Sequence, residues 1–472
     1  MAISNEISRL QNAKAALKTA INAKNDSSHQ IDDETLEDYA GFVDNISTGG
    51  SATLVTKTIT ENGTYDAGDD SADGYSEVTV NVQPPQEAES KDVNFYDYDG
   101  RIVYSYTAAD FQNLTELPAN PTHSGLTAQG WNWTLADAKA QVTAVGACDI
   151  GQMYVTSDGK TRLYCTFEEF NKSFYIGLGV NGTVTINWGD GSSTSTLTGT
   201  NNNTVKNAQH TYTNAGDYVI TLEISSGGSF AFLGGSQCSY LFRGNQSNAY
   251  KNRCYTRCLR RVEMGTGAYI RNYSFLYCVN LETITVNNNA FIGSTNLFAG
   301  CTKLKFATIP ASSPTNTSLF QYNCVMKNTS LPKSVDTLGA SVLYCAYNMK
   351  RFVFPNSVAT IGNTLATNAY SLEELYLSNN ITTLTTQAFD SCCNLRKIAV
   401  PSSVTTIATK AFRNCFTVKE YHFKSTTPPT LDNVDAFGNI ASDCVIYVPS
   451  ESLTAYQGAT NWSTYASQMV GE

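Results

Sequence analysis

Residues 388–423 read AFDSCCNLRKIAVPSSVTTIATKAFRNCFTVKEYHF, a stretch that states one phrase twice. Ala388-Phe389 leads to a cysteine, then to an apolar triplet, then to a Ser/Thr-rich gap, and the order restarts at Ala411-Phe412. The two triplets are Leu395/Ile398/Val400 and Val418/Tyr421/Phe423. Upstream, the same spacing recurs at Leu259/Val262/Met264, Leu281/Ile284/Val286, Leu304/Ala307/Ile309, Met349/Phe352/Phe354 and Leu372/Leu375/Leu377, with a weaker unit, KNTSLP, at 327–332. The starts follow one another at a near-constant interval, varying by a single position, which is the signature of a solenoid. One unit supplies one short strand whose apolar side chains need a neighbour to cover them. Stacking units about 4.8 Å apart pairs those strands and builds a continuous core.

The repeated cysteines allow three readings: disulfides, a metal site, or packing. Cys278, Cys301, Cys392 and Cys415 each fall three residues before a triplet, and Cys324 and Cys345 come within a residue of that. A position repeated once per turn forms a column up the stack, and buried free cysteine behaves as a small hydrophobe. Zinc needs two close pairs; Cys254-x3-Cys258 and Cys392-Cys393 lack a partnering pair or a histidine at finger spacing. The opening MAISNEISRLQNAKAALKTAINAKN lacks the basic-then-apolar order of a signal peptide, so folding in a cytosol is expected, where thiols stay reduced. The expectation is a thiol column with no metal and no cofactor.

These residues carry a family likeness. NLRKIAVPSSVTTIATKAFRNC (394–415) resembles the BspA-type leucine-rich repeat. The segment from STTPP at 425 to SQM at 469 resembles the closing unit such arrays share, with TPP, an IYVP strand and an AY…NW helix. Together they cover residues 238–472. The first unit and 311–348 depart from the pattern, and an irregular strand register is expected there. The resemblance implies a binding array, since BspA-type repeats occur in bacterial surface adhesins and in proteins of phages of gut bacteria.

Residues 184–224 contain Trp188-Gly-Asp-Gly between strands and His210-Thr-Tyr212 before a second Gly-Asp turn. Glycine permits the positive φ of such turns, and Asp190 can bond the turn backbone. This resembles the PKD-type immunoglobulin-like sandwich, a spacer or contact module.

At the start of the chain, Ile3, Ile7, Leu10, Leu17 and Ile21 form a heptad seam into which Lys14 intrudes. About three heptads is marginal for a lone helix, which suits an attachment or oligomer seam, a trimer by analogy with fibres. TKTIT and EVTVNV flank a Gly/Asp-rich turn, and 92–165 reads as aromatic strands around a helix from Thr134 to Val145. Several of these segments resemble modules at the head of phage tail and fibre proteins.

The expected fold is multidomain and mainly β: helical segment 1–50, small β module 51–83, α+β module 84–165, PKD-like sandwich 166–227, BspA-type leucine-rich-repeat solenoid 228–425, and cap 426–472. The net charge of −10 excludes a general nucleic-acid footprint. Yet Arg243, Arg253, Arg257, Arg260 and Arg261 cluster as a candidate basic patch. Tyr255, Tyr269, Tyr273, Tyr277, Tyr322, Tyr344 and Tyr347 are candidate ligand contacts, because aromatic faces suit sugar rings.

His29, His123, His210 and His422 lie in four modules and none sits in a catalytic or metal motif. A Ca²⁺ site in the acidic run 66–73 is an alternative to simple turn chemistry, but EF-hand order is missing. The functional expectation is a phage receptor-binding protein on a virion, made in the host cytoplasm and released by lysis. Its partners would be other virion proteins and a host surface glycan or protein, with no nucleic acid and no membrane insertion. The alternative is a BspA-like surface adhesin, and the third reading is a virion-borne glycan hydrolase.

Overall fold

The computed structural model describes residues 88–170, 172–235, 238–239, 256–289, 295–310 and 318–472, together with the backbone of 54–59 and 74–80. The seam Ile3, Ile7, Leu10, Leu17 and Ile21, the acidic run 66–73, and Tyr255, Arg243 and Arg253 lie outside the described residues. Two compact units are present, 1–87 and 88–472. In the first, β1 (Leu54–Ile59) and β2 (Gly74–Val80) pair in parallel, so the two do not form a hairpin.

Residues 88–156 form a four-stranded sheet with two helices, an α+β module. Its sheet runs β4–β3–β6–β5, from β3 (Val93–Tyr96), β4 (Ile102–Tyr106), β5 (Leu126–Trp131) and β6 (Cys148–Thr156). Helix α1 spans Ala108–Gln112 and α2 spans Leu135–Val145. The Thr134 side chain caps α2 by accepting from the Asp137 amide, and Gly146 ends it at φ 87° with its N–H on the Val142 carbonyl. Val93, Phe95, Phe111, Trp131, Val142 and Ile150 pack together in the module core.

β6 is buried at every position, which a half-covered strand cannot be. Cys148 and Ile150 face the module core, while Asp149 and Gly151 meet the repeats. Gly151 is required by close approach, since a Cβ there would overlap the Thr308 side chain.

The next sheet begins earlier than the sequence suggests. β7 (Thr161–Phe167) pairs with β10 (Gly216–Ile224) rather than with the module before it. With β8 (Ser173–Asn187), β9 (Ser195–Thr211) and β11 (Ser229–Phe232) these strands form one sheet that continues into the repeats. On one side Leu259–Glu263 pairs antiparallel with β7, and Thr283–Thr285 pairs parallel to it in turn. The expected boundary at 227/228 is therefore no break in the sheet. The physical reason is the open end of a solenoid, which exposes an apolar core and a strand edge that something must cover. The motif residues of 184–224 do meet: His210 stacks on Trp188 (4.9 Å, 11°), its Nε2 lies 2.7 Å from Asp190 Oδ2, and Tyr212 donates to the Trp188 carbonyl at 2.8 Å.

One apolar core runs from Leu163 to Met469. Each rung passes from a lateral strand, through a second short strand, to a turn side built on left-handed residues. There Tyr273/Tyr277, Ser318/Tyr322, Ser341/Cys345, Thr364/Asn368, Gln387/Ser391 and Lys410/Asn414 repeat as pairs four apart with positive φ. The intervening amides point along the stack: Phe320 N donates to Val342 O, Leu343 N to Leu365 O, and Phe389 N to Ala411 O. The rungs around 318–345 thus stay in step on the turn side. The expected irregularity is confined to the lateral strand, where a single bridge, Thr308 to Ser330, stands in for a paired strand.

The cysteine column is present with a correction. Cys278, Cys301, Cys392 and Cys415 are fully buried, and three of them donate to carbonyls of the preceding rung: Cys301 to Phe275, Cys392 to Ala366 and Cys415 to Phe389. Cys324 and Cys345 do not belong to the column. Asn323 and Ala346 occupy it, because the rungs vary in length and the thiols there slip by one place. Burial pushes the Cys301, Cys392 and Cys415 thiols well up, and the cysteines of the described residues are all free. A parallel column of rings supports the array, with Phe275–Phe298–Phe320 and Phe389–Phe412–Phe437 stacked at 5.3–5.9 Å. Tyr456, Trp462 and Tyr465 close the far end, and Trp462 Nε1 donates to the Pro429 carbonyl at 2.7 Å.

Candidate functional site

A solenoid offers two long surfaces, its lateral sheet and its turn side. Over the middle rungs the lateral side is taken. Equivalent carbonyls on three successive rungs each accept a bond from the α+β module: Ile309 O from Asn132 (2.9 Å), Leu331 O from Trp133 (3.0 Å) and Phe354 O from Gln141 (2.9 Å). Tyr96 stacks on Phe306 at 5.0 Å, and Ser330 Oγ donates to the Asp149 carbonyl at 2.7 Å. Arg351, buried with Asp149, closes the interface (Nε to Oδ1 3.0 Å). Donors spaced to match rungs leave little room there for another ligand.

On the turn side, several of the candidate tyrosines converge. Tyr322 and Tyr344 meet edge to face at 5.7 Å, and Tyr347 stacks on Tyr370 at 5.6 Å and 10°. The Tyr277 ring covers Gly300, where a Cβ would overlap it. Tyr322, Tyr347 and Tyr370 are exposed, Tyr370 by 44%. Tyr347 touches the Cys345 thiol, and this hydrogen bond, with partial burial, pushes its hydroxyl up to about 12. It remains a neutral phenol at neutral pH.

Tyr269 and Tyr273 stand apart from this group. Tyr269 is in a strand paired with β11, and Tyr273 lies at the other left-handed corner, against Gly234. Tyr370 and Phe416 belong to the exposed row and are missing from the sequence-based set. Their signal is the period itself, since Tyr347, Tyr370, Cys393 and Phe416 follow one another at one constant interval.

Of the candidate basic patch, Arg257, Arg260 and Arg261 are among the described residues. Arg257 is exposed, Arg260 lies 3.4 Å from Thr166 Oγ1, and Arg261 sits over the Tyr164 ring (4.3 Å) in an ion pair with Glu263. No group of three or more His, Cys, Asp or Glu among the described residues is arranged for a metal. No helix among them is long and apolar enough to cross a membrane.

Comparison with known proteins supports the repeats. Residues 225–344 and 296–419 match the profile of the BspA type Leucine rich repeat region, with six copies. This part of the chain is a solenoid of BspA-type leucine-rich repeats. No curated protein matches the chain. Among solved structures it is similar to a leucine-rich repeat protein of T. pallidum (21% identity, 32% of this chain and 64% of that one, TM-score 0.27). It is also similar to leucine-rich repeat proteins of Eubacterium ventriosum (20%, 36% and 56%, 0.28) and Bacteroides ovatus (19%, 45% and 66%, 0.29). The chain spans less than two thirds of the length of each of these structures.

Proposed function

We propose that this is a non-enzymatic adhesive protein of the BspA-like surface type, which holds its ligand on the turn side of the repeat array. The observation that carries this reading is the contrast between the two long surfaces. The lateral side is filled over the middle rungs by residues 88–156, whereas the turn side carries the ring pairs Tyr322–Tyr344 and Tyr347–Tyr370, with Tyr322, Tyr347 and Tyr370 in the open. Stiff aromatic side chains supply contact area at small entropic cost, and a repeat surface can vary without disturbing its stack. The phage-virion reading keeps its support in the sequence resemblance of the front half alone, and the repeats do not favour it over a cellular adhesin.

Flow cytometry of bacterial and epithelial cells incubated with the full chain tests the reading. The triple variant Y322A/Y347A/Y370A, whose side chains are not in the core, is expected to lose most of the cell binding while keeping its thermal unfolding transition. Equal binding by the variant would remove the turn side as the ligand surface.

A further inference from the structure

A second row runs beside the exposed aromatics. Counting four residues on from the buried column, which starts at Cys278, successive rungs carry Glu282, Lys305, Lys327, Lys350, Glu373, Arg396 and Lys419. Five bases against two acids in seven rungs is a bias in a chain of net charge −10. The six from Lys305 onward are exposed, and Glu282 is half-buried. Lys305 pairs with Glu282 (3.4 Å), Lys350 with Glu373 (3.2 Å) and Lys419 with Asp443 (2.5 Å), whereas Lys327 and Arg396 have no carboxylate partner among the described residues. Exposed pairs of this kind are weak, so they do not cancel the stripe's pull on an anion.

The stripe and the aromatic row share one corner. Tyr347 precedes Lys350 by three residues, and Phe416 precedes Lys419 by the same interval. The corner keeps register from rung to rung: Lys350 N donates to Lys327 O (2.7 Å), Glu373 N to Lys350 O (2.8 Å), Ser371 N to Tyr347 O (3.2 Å) and Lys419 N to Arg396 O (2.8 Å). Charges therefore recur at the rung spacing, about 4.8 Å. One pyranose residue of an extended polysaccharide advances by nearly that distance.

Resting on the reading of the array as a ligand surface, we infer that the ligand is a linear acidic polysaccharide lying along the array axis. Its uronate carboxylates meet the base row, close to one per rung, and its sugar faces lie against Tyr347, Tyr370 and Phe416. Glu282 and Glu373 mark the rungs at which no carboxylate is bound.

The test immobilises polygalacturonate, its fully methyl-esterified form, alginate and chondroitin sulfate, and measures binding of the full chain at low and high salt. The inference expects binding to at least one uronate polymer, loss of binding on esterification, and a steep fall with salt. K327E/R396E is expected to weaken that binding by about tenfold or more, chiefly through the on-rate, with unfolding unchanged. Equal binding to the esterified polymer, tighter binding to single-stranded DNA, or indifference to K327E/R396E would overturn it. Failure of all the acidic polymers would overturn it as well. If cell binding still depended on Tyr322, Tyr347 and Tyr370 in that case, the adhesive reading would stand and only the ligand class would fall.

Discussion

Arg351 and Asp149, 202 positions apart, form an ion pair that is almost wholly buried, with Nε at 3.0 and 3.2 Å from the two carboxylate oxygens. Arg351 also donates to the Asp92 carbonyl at 2.7 Å, reaches Glu374, and lies 4.9 Å over the Tyr376 ring. Burial pushes the Asp149 carboxyl up, and the Arg351 guanidinium pulls it part of the way back. The pair therefore sets the register of the module on the array more than it adds net stability.

That distinction is measurable. R351M leaves a buried carboxylate without its partner and is expected to cost about 3–5 kcal/mol in urea unfolding. The double variant D149L/R351M removes both charges and should recover most of the loss. Trp131 and Trp133, close to the interface, supply the fluorescence signal. A double variant as damaged as R351M would contradict this account of the pair.

Close packing between β6 and the repeats makes a second prediction. In G151V the new side chain would collide with Thr308 and Ser330, so the module must lift or the rungs must shift. Overpacking of this kind costs about 1–3 kcal/mol. Hydrogen exchange should then rise at Asn132, Trp133 and Gln141, whose side chains bond the rung carbonyls. Unaltered exchange at those sites would mean that the contact is looser than described.

Acid should act on the Trp188–Asp190–His210 group. Slight burial raises the Asp190 carboxyl, but hydrogen bonds from Ser192 and His210 outweigh it and bring the group to about 2. A carboxylate depressed in the folded state contributes stability that is present above its unfolded pKa, about 3.9, and is lost as pH falls through the folded value. Native protein should lose this increment between about pH 4 and pH 2, and D190N should show a flatter profile across that window. The stability–pH curve of the two proteins, from urea unfolding followed by circular dichroism at each pH, decides it.

Much of the array is readable in the sequence because a rung repeats its own chemistry. The triplets recur at a near-constant interval, the four column cysteines each stand three residues ahead of one, and both features hold in the structure. Residue type misplaces Cys324 and Cys345, because it hides a one-place slip that the backbone bonds of Asn323 and Ala346 reveal. The docking of residues 88–156 leaves no periodic trace. Its contacts join Asn132 to Ile309, 177 positions away, and Asp92 to Arg351, 259 away, through single side chains. Arg351 itself occupies the row that Glu374 and then Lys397 and Glu420 continue on the surface, so its burial comes wholly from the module above it. The candidate site is half legible: residue type alone picks out Tyr322, Tyr344 and Tyr347, whereas Tyr370, Phe416 and the base row emerge only with the rungs laid side by side.

Adjacent thiols give the most direct measurement of the stacked array. Cys392 is fully buried and bonded to Ala366 O, while its neighbour Cys393 is half-exposed on the turn side. Timed alkylation of the native protein, mapped by mass spectrometry, should label Cys393 and Cys324 slowly and leave Cys278, Cys301, Cys392 and Cys415 untouched until the chain unfolds. Labelling of Cys392 and Cys415 at the rate of Cys393, without unfolding, would contradict a continuous column of rungs.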